Sequence, residues 1–368
     1  MYRSERSTLW YHTQSMTPIR SLLAKPRRVR AHFAANVARY HDPAVVRSLL
    51  DKSWELRFEN PAEMLHLAHL ATVIAPHCKG EQRDCLDLLG QAWTHFANAL
   101  KVRGVLRVSD HAFKKAETYL AQTQRETLRA TYLECLGALR LRQLRLSETR
   151  SVLVEALEIR EQVGETGAIA ATLNQLALAE SEGGNHLTAL RHLSRANRII
   201  TWENDPRMFL LSRHNSILVL RAMGRPVEAL DLFDRLQPIY ITAGDRVQQL
   251  RGQWLFAKIA ASFGRASSDE TAEHAFRATA RNAVELQLPY ESGKVLFELG
   301  SFFASRKRWH QLEMVMVEAL NLLDHLGISR DSSLARVLLL AGRDKVQSQT
   351  LLRRAGRLLI RHHFATAA

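Results

Sequence analysis

The sequence predicts an all-α protein of stacked helix pairs, and three observations lead to this expectation. First, a small or apolar residue with apolar neighbours recurs at 40-residue steps, with a last step of 43 residues: Ala97, Gly137, Ala177, Ile217, Ala257 and Gly300. Second, Gly104, Gly184, Gly224 and Gly264 keep the same 40-residue register. Third, the 368 residues include only 17 glycines and 9 prolines, which favours helices. A fixed period of roughly 20–50 residues is typical of repeat proteins.

The N-terminal part of the chain falls outside this period. We expect residues 1–42 to be a basic, mobile arm with at most a short helix at 29–40. Residues 43–83 predict a degenerate helix pair that caps the repeats. Its first helix is amphipathic over 43–58, and its second is apolar over 62–76. Pro61 should start the second helix, since proline fits the first helical position.

The regular repeats are expected over 84–325, and each is a first helix (A), a turn and a second helix (B). The small residue in helix A should let helix B approach closely, and the turn glycine should adopt the left-handed conformation that ends helix A. Lys307 stands where the sixth pair would have this glycine. We attribute the 43-residue step to a turn at 264–271 that is about three residues longer than the others. Residues 326–368 should form C-terminal capping helices with a basic face.

The residues of each pair follow the pattern of a known family. Phe96-Ala97, Leu136-Gly137, Leu176-Ala177 and Leu299-Gly300 match its small-residue pair, and the turn glycines match its turn. The chain resembles tetratricopeptide repeat (TPR) proteins, in the long, 40-residue variety of bacterial regulatory and scaffold proteins. The resemblance implies a right-handed superhelical solenoid of antiparallel helix pairs, with about six regular repeats and degenerate caps.

Charge is concentrated at the two ends of the chain. Residues 1–40 carry +7 and residues 342–368 carry +5 of the formal net charge of +14, which leaves +2 for the rest. Basic ends can contact phosphate, and the candidate donors are two groups of arginines: Arg27, Arg28 and Arg30, and Arg353, Arg354, Arg357 and Arg361. A basic amphipathic helix on a membrane surface and an ordinary solvated cap are the alternatives.

The resemblance also implies a ligand site. In TPR proteins the A helices line a concave groove, where Asn, Lys and Arg hold the carboxylate of a bound peptide through charge-assisted hydrogen bonds. The polar residues at such positions here are candidate groove residues: Thr94, Asn98, Arg142, Asn174, His214, Asn215, Arg251, Lys258 and Lys294. A solvated polar face without a ligand would have the same residue types.

Catalytic and metal sites are not expected. The sequence has no phosphate-binding loop, HExxH, CxxC or GxSxG motif. His77, Cys78 and Cys85 could supply zinc ligands, but their spacing matches no standard site, and a buried thiol in an ordinary loop is the simpler interpretation. No cofactor is implied. The start of the chain leaves Met1 and Met16 open as translation starts.

These observations predict a non-catalytic adaptor, scaffold or regulator that binds a peptide or helix of another protein in the groove. The alternative is a transcription-related or nucleic-acid-linked regulator that uses its basic ends. Three scattered cysteines and the lack of an apolar run of about 18 residues favour a soluble, cytoplasmic protein.

Overall fold

The computed structural model describes residues 18–325, except 58–59, 122, 243–245 and 287. Within these residues the chain is helical, with no strand. After a helical stretch that ends at residue 23, fifteen α-helices follow in order: α1 (Arg27–Asn36), α2 (Pro43–Glu55), α3 (Pro61–Ile74), α4 (Gln82–Val102), α5 (Leu106–Leu120), α6 (Glu126–Gln143), α7 (Leu146–Val163), α8 (Thr166–Glu182), α9 (His186–Ile199), α10 (Pro206–Ala222), α11 (Pro226–Thr242), α12 (Arg246–Ser262), α13 (Ala266–Glu285), α14 (Pro289–Ser305) and α15 (Trp309–His325).

Consecutive helices pack as hairpins, as the sequence predicts. The pairs α4–α5 and α6–α7 lie in one compact unit that ends at Ala179, and α10–α11, α12–α13 and α14–α15 lie in a second unit that starts at Glu180. Each unit has its own apolar cores. Phe113, Leu133 and Leu139 are among the core residues of the first unit, and Phe276 and Phe303 are among those of the second.

The turn glycines behave as predicted. Gly104, Gly184, Gly224 and Gly264 have φ values between +69° and +82°, the left-handed region in which a side chain is strained. Two other turns reach the same conformation without glycine. Leu144, after α6, has φ 62°, and Lys307, after α14, has φ 57°.

The small residue of helix A permits close approach of helix B, also as predicted. A Cβ atom on Gly137 would lie 2.6 Å from Leu153 Cδ2, and one on Gly300 would lie 2.3 Å from Met316 Cε. Both distances are shorter than real Cβ contacts, so a larger residue at either position would require the facing side chain to move.

Two expectations about the chain need correction. Residues 18–42, expected within a mobile arm, are folded, because Ile19, Leu22, Ala34 and Tyr40 are buried in the same apolar core as α2 and α3. The 43-residue step arises in helix B rather than in a longer turn. The helix α13 starts directly after Gly264-Arg265 and has 20 residues, whereas α11 has 17.

The degenerate pair begins where the sequence indicates. Pro61 is the first residue of α3, and the Asn60 side chain accepts a hydrogen bond from the Glu63 amide. Asp42 caps α2 in the same way through the Ala44 amide. The basic C-terminal helices predicted for 326–368 lie outside the described residues. No helix among the described residues has the length and hydropathy needed to cross a membrane.

Candidate functional site

The predicted groove residues of the second unit lie on its three A helices. His214 and Asn215 belong to α10, Arg251 and Lys258 to α12, and Lys294 to α14. The side chains of Asn215, Lys258 and Lys294 are buried. The two buried lysines require compensation of their charge, because burying an ammonium group without a partner costs free energy.

Glutamates on α14 provide that compensation. Lys258 Nζ lies 3.1 Å from Glu298 Oε1, and it also lies 4.4 Å from the centre of the Trp254 ring. Trp254 Nε1 donates a 2.8 Å hydrogen bond to the other oxygen of Glu298. One carboxylate therefore fixes two side chains of α12 against α14. Lys294 Nζ lies 3.0 Å from Glu291 Oε1 within α14 itself.

The environment of Lys258 lowers its pKa despite this ion pair, but leaves the ammonium charged near pH 7. Burial, together with the nearby charges of Arg221 and Lys294, lowers the pKa of Lys258 to about 8 against the opposing effect of Glu298. Burial also lowers the pKa of Arg221. Among the described residues, the buried Arg221 Nε has no hydrogen-bond partner.

His214 adds polarity without charge. Its Nδ1 lies 3.2 Å from Tyr240 Oη. Burial, together with the charges of Lys258 and Arg251, lowers the pKa of His214 to about 3, so the imidazole is neutral near pH 7. Arg251 is partly exposed and has no ion pair within the described part of the chain.

We call the charged residues of these three helices the basic cluster: Arg221, Arg251, Lys258 and Lys294, with Glu291 and Glu298. Four cations face two carboxylates, so the cluster has an excess of two positive charges on a largely buried surface. Such a surface attracts carboxylates and can bind them through charge-assisted hydrogen bonds. The sequence analysis missed Glu298, which follows Lys258 by 40 residues in the next A helix.

The predicted groove residues of the first unit are mostly engaged in local hydrogen bonds. Thr94 Oγ1 donates to the Gly90 carbonyl at 2.8 Å, and Asn174 Nδ2 donates to the Ala170 carbonyl at 2.9 Å. Asn98 is buried on α4. Arg142, at the end of α6, donates from Nη1 to the carbonyl of Lys101 at 2.9 Å. Lys101 itself, which the sequence interpretation missed, is buried on the same face of α4 as Asn98.

The first unit also contains a buried ion-pair network. Arg160, on α7, donates to both oxygens of Glu134 at 2.9 Å and to Thr131 at 2.8 Å, which joins α7 to α6. Thr172 on α8 donates to Glu134 at 2.7 Å. Glu134, which lies on α6, therefore links this helix to both α7 and α8.

The basic N-terminal residues differ in their contacts. Arg30 donates to the carbonyls of Leu23 and Lys25 and lies 3.1 Å from Glu63. Arg27 donates to the Ala62 carbonyl at 2.8 Å. Arg28 is exposed. Arg353, Arg354, Arg357 and Arg361 lie outside the described residues. Nucleic-acid contact by either group stays a prediction.

The histidines and cysteines near α3 do not gather around one point. His77 stacks on His41 with ring centres 4.7 Å apart, and burial raises the pKa of Cys78 to about 11. Within the described residues, no three His, Cys, Asp or Glu side chains are arranged to hold a metal ion.

A separate cleft of about 390 Å³ lies between α11, α12 and α13. Phe233, Tyr240 and Phe256 are among its apolar lining residues, and glutamine and asparagine side chains are among its polar ones. The cleft contains none of the predicted groove residues.

Comparison with known proteins identifies the fold. No family model matches the chain, and no curated protein matches it by sequence. Solved structures do match. Aspartyl phosphate phosphatase F from Bacillus subtilis is 11% identical with a TM-score of 0.58, and the match covers 88% of this chain and 85% of that one.

Two further structures match at similar levels. The Rap conjugation gene regulator of the plasmid pLS20, in complex with the Phr* peptide, is 13% identical with a TM-score of 0.53, over 88% of this chain and 98% of that one. A Rap protein complexed with competence and sporulation factor is 14% identical with a TM-score of 0.51, over 85% and 99%. The helix pairs, the turn glycines and these likenesses together define a TPR-like helical-repeat protein. At such identities the likeness shows the fold alone.

Proposed function

We propose that this chain is a non-catalytic interaction module that binds a carboxylate-bearing segment of another protein on the basic cluster of its second unit. The observation that carries the proposal is the excess of two positive charges on the largely buried surface of α10, α12 and α14. Arg251, partly exposed and without an ion pair among the described residues, provides the accessible donor. The Lys258–Glu298 ion pair holds α12 against α14.

Two of the similar structures are complexes, which supports a bound ligand for this chain as well. One is a Rap regulator in complex with the Phr* peptide, and the other is a Rap protein complexed with competence and sporulation factor. A third is named a phosphatase. We propose no such activity for this chain, because its sequence has none of the catalytic motifs sought above.

The test is affinity capture from a lysate of the source cell, with nuclease present, followed by binding measurements with synthetic peptides from the captured protein. We expect Arg251→Glu to weaken peptide binding at least tenfold, because the substitution reverses the charge of the accessible donor. Arg281→Glu on α13 is the matched control, since Arg281 is exposed on a B helix. Equal binding by the two variants would exclude the basic cluster.

The alternative function gives a different result in the same experiment. A nucleic-acid-linked regulator would lose its captured proteins on nuclease treatment, and its binding would weaken steeply with salt. Arg27 and Arg30 already contact Glu63 and backbone carbonyls, so Arg28 and the C-terminal arginines would have to provide the phosphate contacts.

A further inference from the structure

The cleft between α11, α12 and α13 and the basic cluster lie on opposite sides of α12. Gly252 and Phe256 of this helix line the cleft, whereas Arg251 and Lys258 belong to the basic cluster. Phe256 and Lys258 are two residues apart in the helix, which places them roughly 160° apart around its axis. The cleft is therefore a separate feature of the second unit.

Small residues leave the space of about 390 Å³ that the cleft encloses. Gly252 has no side chain, and a Cβ atom there would lie only 3.0 Å from Tyr240 Cγ. The helix α13 contributes two alanines to the lining, Ala275 and Ala278. Larger side chains at these positions would occupy the cleft, so its volume depends on the small ones.

Three aromatic rings are part of the lining. The Phe233 ring centre lies 6.3 Å from that of Tyr240 and 5.8 Å from that of Phe256. Tyr240 Oη lies 3.2 Å from Nδ1 of His214, which does not line the cleft, so this hydroxyl group is engaged elsewhere. An aromatic ring inserted among these residues would gain stacking and edge contacts, which are favourable at centroid distances of roughly 4.5–7 Å.

The described residues that line the cleft include no acidic or basic side chain. Burial raises the pKa of Tyr240, so its phenol group stays neutral. A charged ligand would lose hydration on entering such a cleft without gaining an ion pair there, which costs free energy. The lining therefore favours an uncharged occupant.

The polar residues of the lining are mainly neutral amides. Asn282 Nδ2 donates a 2.8 Å hydrogen bond to Gln253 Oε1, which joins α13 to α12. Each of these two amides keeps a second polar group for a ligand, an NH₂ group on Gln253 and a carbonyl oxygen on Asn282. Gln237, which is exposed on α11, adds a further amide. The cleft thus offers both donors and acceptors of hydrogen bonds.

We propose that this cleft binds a small, uncharged aromatic molecule with a hydrogen-bonding edge, of the kind that an aromatic carboxamide has. Ligand sites of roughly 300–1,000 Å³ are typically apolar and aromatic with a few polar groups, and a volume of about 390 Å³ suits a single ring system. The ring lies among the three aromatic side chains, and its polar edge contacts the amides of Gln237, Gln253 and Asn282. This site goes beyond the proposed function, which needs only the basic cluster.

The direct test follows methyl groups of the cleft by NMR in the full-length protein. Samples carry ¹³C-labelled methyl groups on isoleucine and alanine, and the signals missing from Ile241→Val and Ala275→Ser identify two reporters in the lining. Benzamide is the probe, since it has an aromatic ring and a neutral amide. We expect both reporter signals to move and to reach saturation on titration. Signals that do not move up to the solubility limit of benzamide would overturn the proposal.

Charged analogues test whether the ligand must be uncharged. Benzoate and benzylammonium have the same ring as benzamide, but they carry one negative and one positive charge. We expect each to bind at least tenfold more weakly than benzamide, because neither finds a counter-ion in the described lining. Equal affinity of either charged probe would overturn the assignment to an uncharged ligand.

An aromatic side chain of a protein partner has the same ring chemistry, and a further probe distinguishes this source. N-acetylphenylalanine amide is uncharged and attaches the ring to a peptide backbone. We expect it to bind no more tightly than benzamide, because the volume of the cleft suits a single ring system. Binding at least tenfold tighter than that of benzamide would assign the cleft to a protein side chain and overturn the proposal of a small molecule.

Variants of α13 test whether the probe binds in the cleft. Ala278→Phe places a ring in the cleft, and His274→Phe is the matched control, because His274 is exposed on the same helix and does not line the cleft. We expect Ala278→Phe to weaken benzamide binding at least tenfold, since the new ring occupies the space that the ligand needs, and His274→Phe to weaken it less than twofold. Equal binding by the two variants would overturn the site.

A milder variant keeps the proposal testable if Ala278→Phe does not fold. Gln237→Ala removes an exposed amide of α11, and Asp234→Ala changes an exposed residue of the same helix outside the cleft. We expect Gln237→Ala to weaken benzamide binding about threefold to tenfold through loss of a hydrogen bond, and to leave the binding of toluene, which has no amide, unchanged. Asp234→Ala should affect neither probe. Unchanged binding of benzamide by Gln237→Ala would overturn the polar edge of the site.

The proposed function and this site can fail separately. Arg251 does not line the cleft, so Arg251→Glu should leave benzamide binding unchanged even where it abolishes peptide binding.

Discussion

The two units bury lysines on their A helices in different ways. In the second unit, Lys258 pairs with Glu298 and Lys294 pairs with Glu291. In the first unit, Lys101 has no carboxylate partner among the described residues and lies beside Arg142. The pKa is nonetheless lowered to about 8 for both Lys101 and Lys258.

The difference shows what an internal counter-ion contributes in a helical repeat. Glu298 joins α12 to α14 through Lys258 and Trp254, so the surface that an acidic segment would meet is already fixed before binding. The first unit has its buried ion pair elsewhere, between Arg160 on α7 and Glu134 on α6.

Removal of Glu298 should leave the second unit with a buried lysine that lacks its carboxylate partner, as Lys101 does among the described residues of the first unit. Of the substitutions considered, this one should lower the stability most. Glu298→Ala leaves the buried Lys258 unpaired and removes the acceptor of Trp254 Nε1. We expect the free energy of unfolding to fall by about 3–5 kcal/mol, as for other broken buried pairs. Urea unfolding measures this free energy. Glu318→Ala, an exposed position on α15, should change it by less than about 0.5 kcal/mol.

A double variant separates the charge from the packing. Lys258→Met in the Glu298→Ala background removes the unpaired ammonium and should restore much of the lost free energy. If the double variant is as unstable as Glu298→Ala, the ion pair does not determine the stability of this region, and the comparison of the two units fails.

The pH dependence of stability should reveal both lysines. Their pKa values are about 8 in the folded state and about 10.5 when unfolded, so the unfolded chain binds more protons between these values. The free energy of unfolding should therefore rise as the pH increases from 8 to 10, by up to about 1.4 kcal/mol per pH unit for each lysine.

Substitution of Lys101 isolates the contribution of the first unit to this pH dependence. Lys101→Met should reduce the slope between pH 8 and 10 by about half, and Lys114→Met, at an exposed position on α5, should leave it unchanged. A slope that is insensitive to Lys101→Met would show that folding does not lower the pKa of this lysine.

The sequence predicted the repeated parts of this molecule well and the paired charges poorly. The 40-residue register of Gly137 and Gly224 is enough to predict a close approach and a left-handed turn, because both depend on the local backbone. The counter-ion of Lys258 depends on the register between α12 and α14, which the sequence does not specify. Lys101, in the last turn of a helix, has the pattern of an ordinary solvent-exposed helix end.

The packing of the N-terminal residues was missed for a related reason. Ile19, Leu22 and Tyr40 are separated by basic residues and follow no repeat. The sequence pattern therefore does not indicate that they are buried in an apolar core. Arg30 satisfies its charge with Glu63 and two carbonyls, and this allows a basic segment to lie against an apolar core. The three extra residues of α13 were assigned to a turn because serines and acids at 267–270 are frequent in loops.

The glycines of helix A offer a smaller test of how the two units pack. Gly137→Ala should cost about 1–3 kcal/mol, because Leu153 and Val152 both crowd the new Cβ. Gly300→Ala should cost less, since the nearest atom belongs to the flexible Met316 side chain, which can move aside. Gly167→Ala on α8, where a Cβ meets nothing within 4 Å, should instead stabilise the protein. Thermal unfolding compares the three variants, and a larger loss for Gly300→Ala than for Gly137→Ala would contradict the argument.

The turns without glycine should give the smallest effects, again in both units. Lys307→Gly should raise the free energy of unfolding by about 0.5–1 kcal/mol, because φ at this exposed position is 57°. Leu144→Gly relieves a similar strain at φ 62°, but it also removes a side chain that is only 38% exposed, so its gain should be smaller. Urea unfolding of both variants gives the order. Destabilisation by Lys307→Gly would mean that the lysine side chain contributes more to the α14–α15 turn than its backbone strain costs.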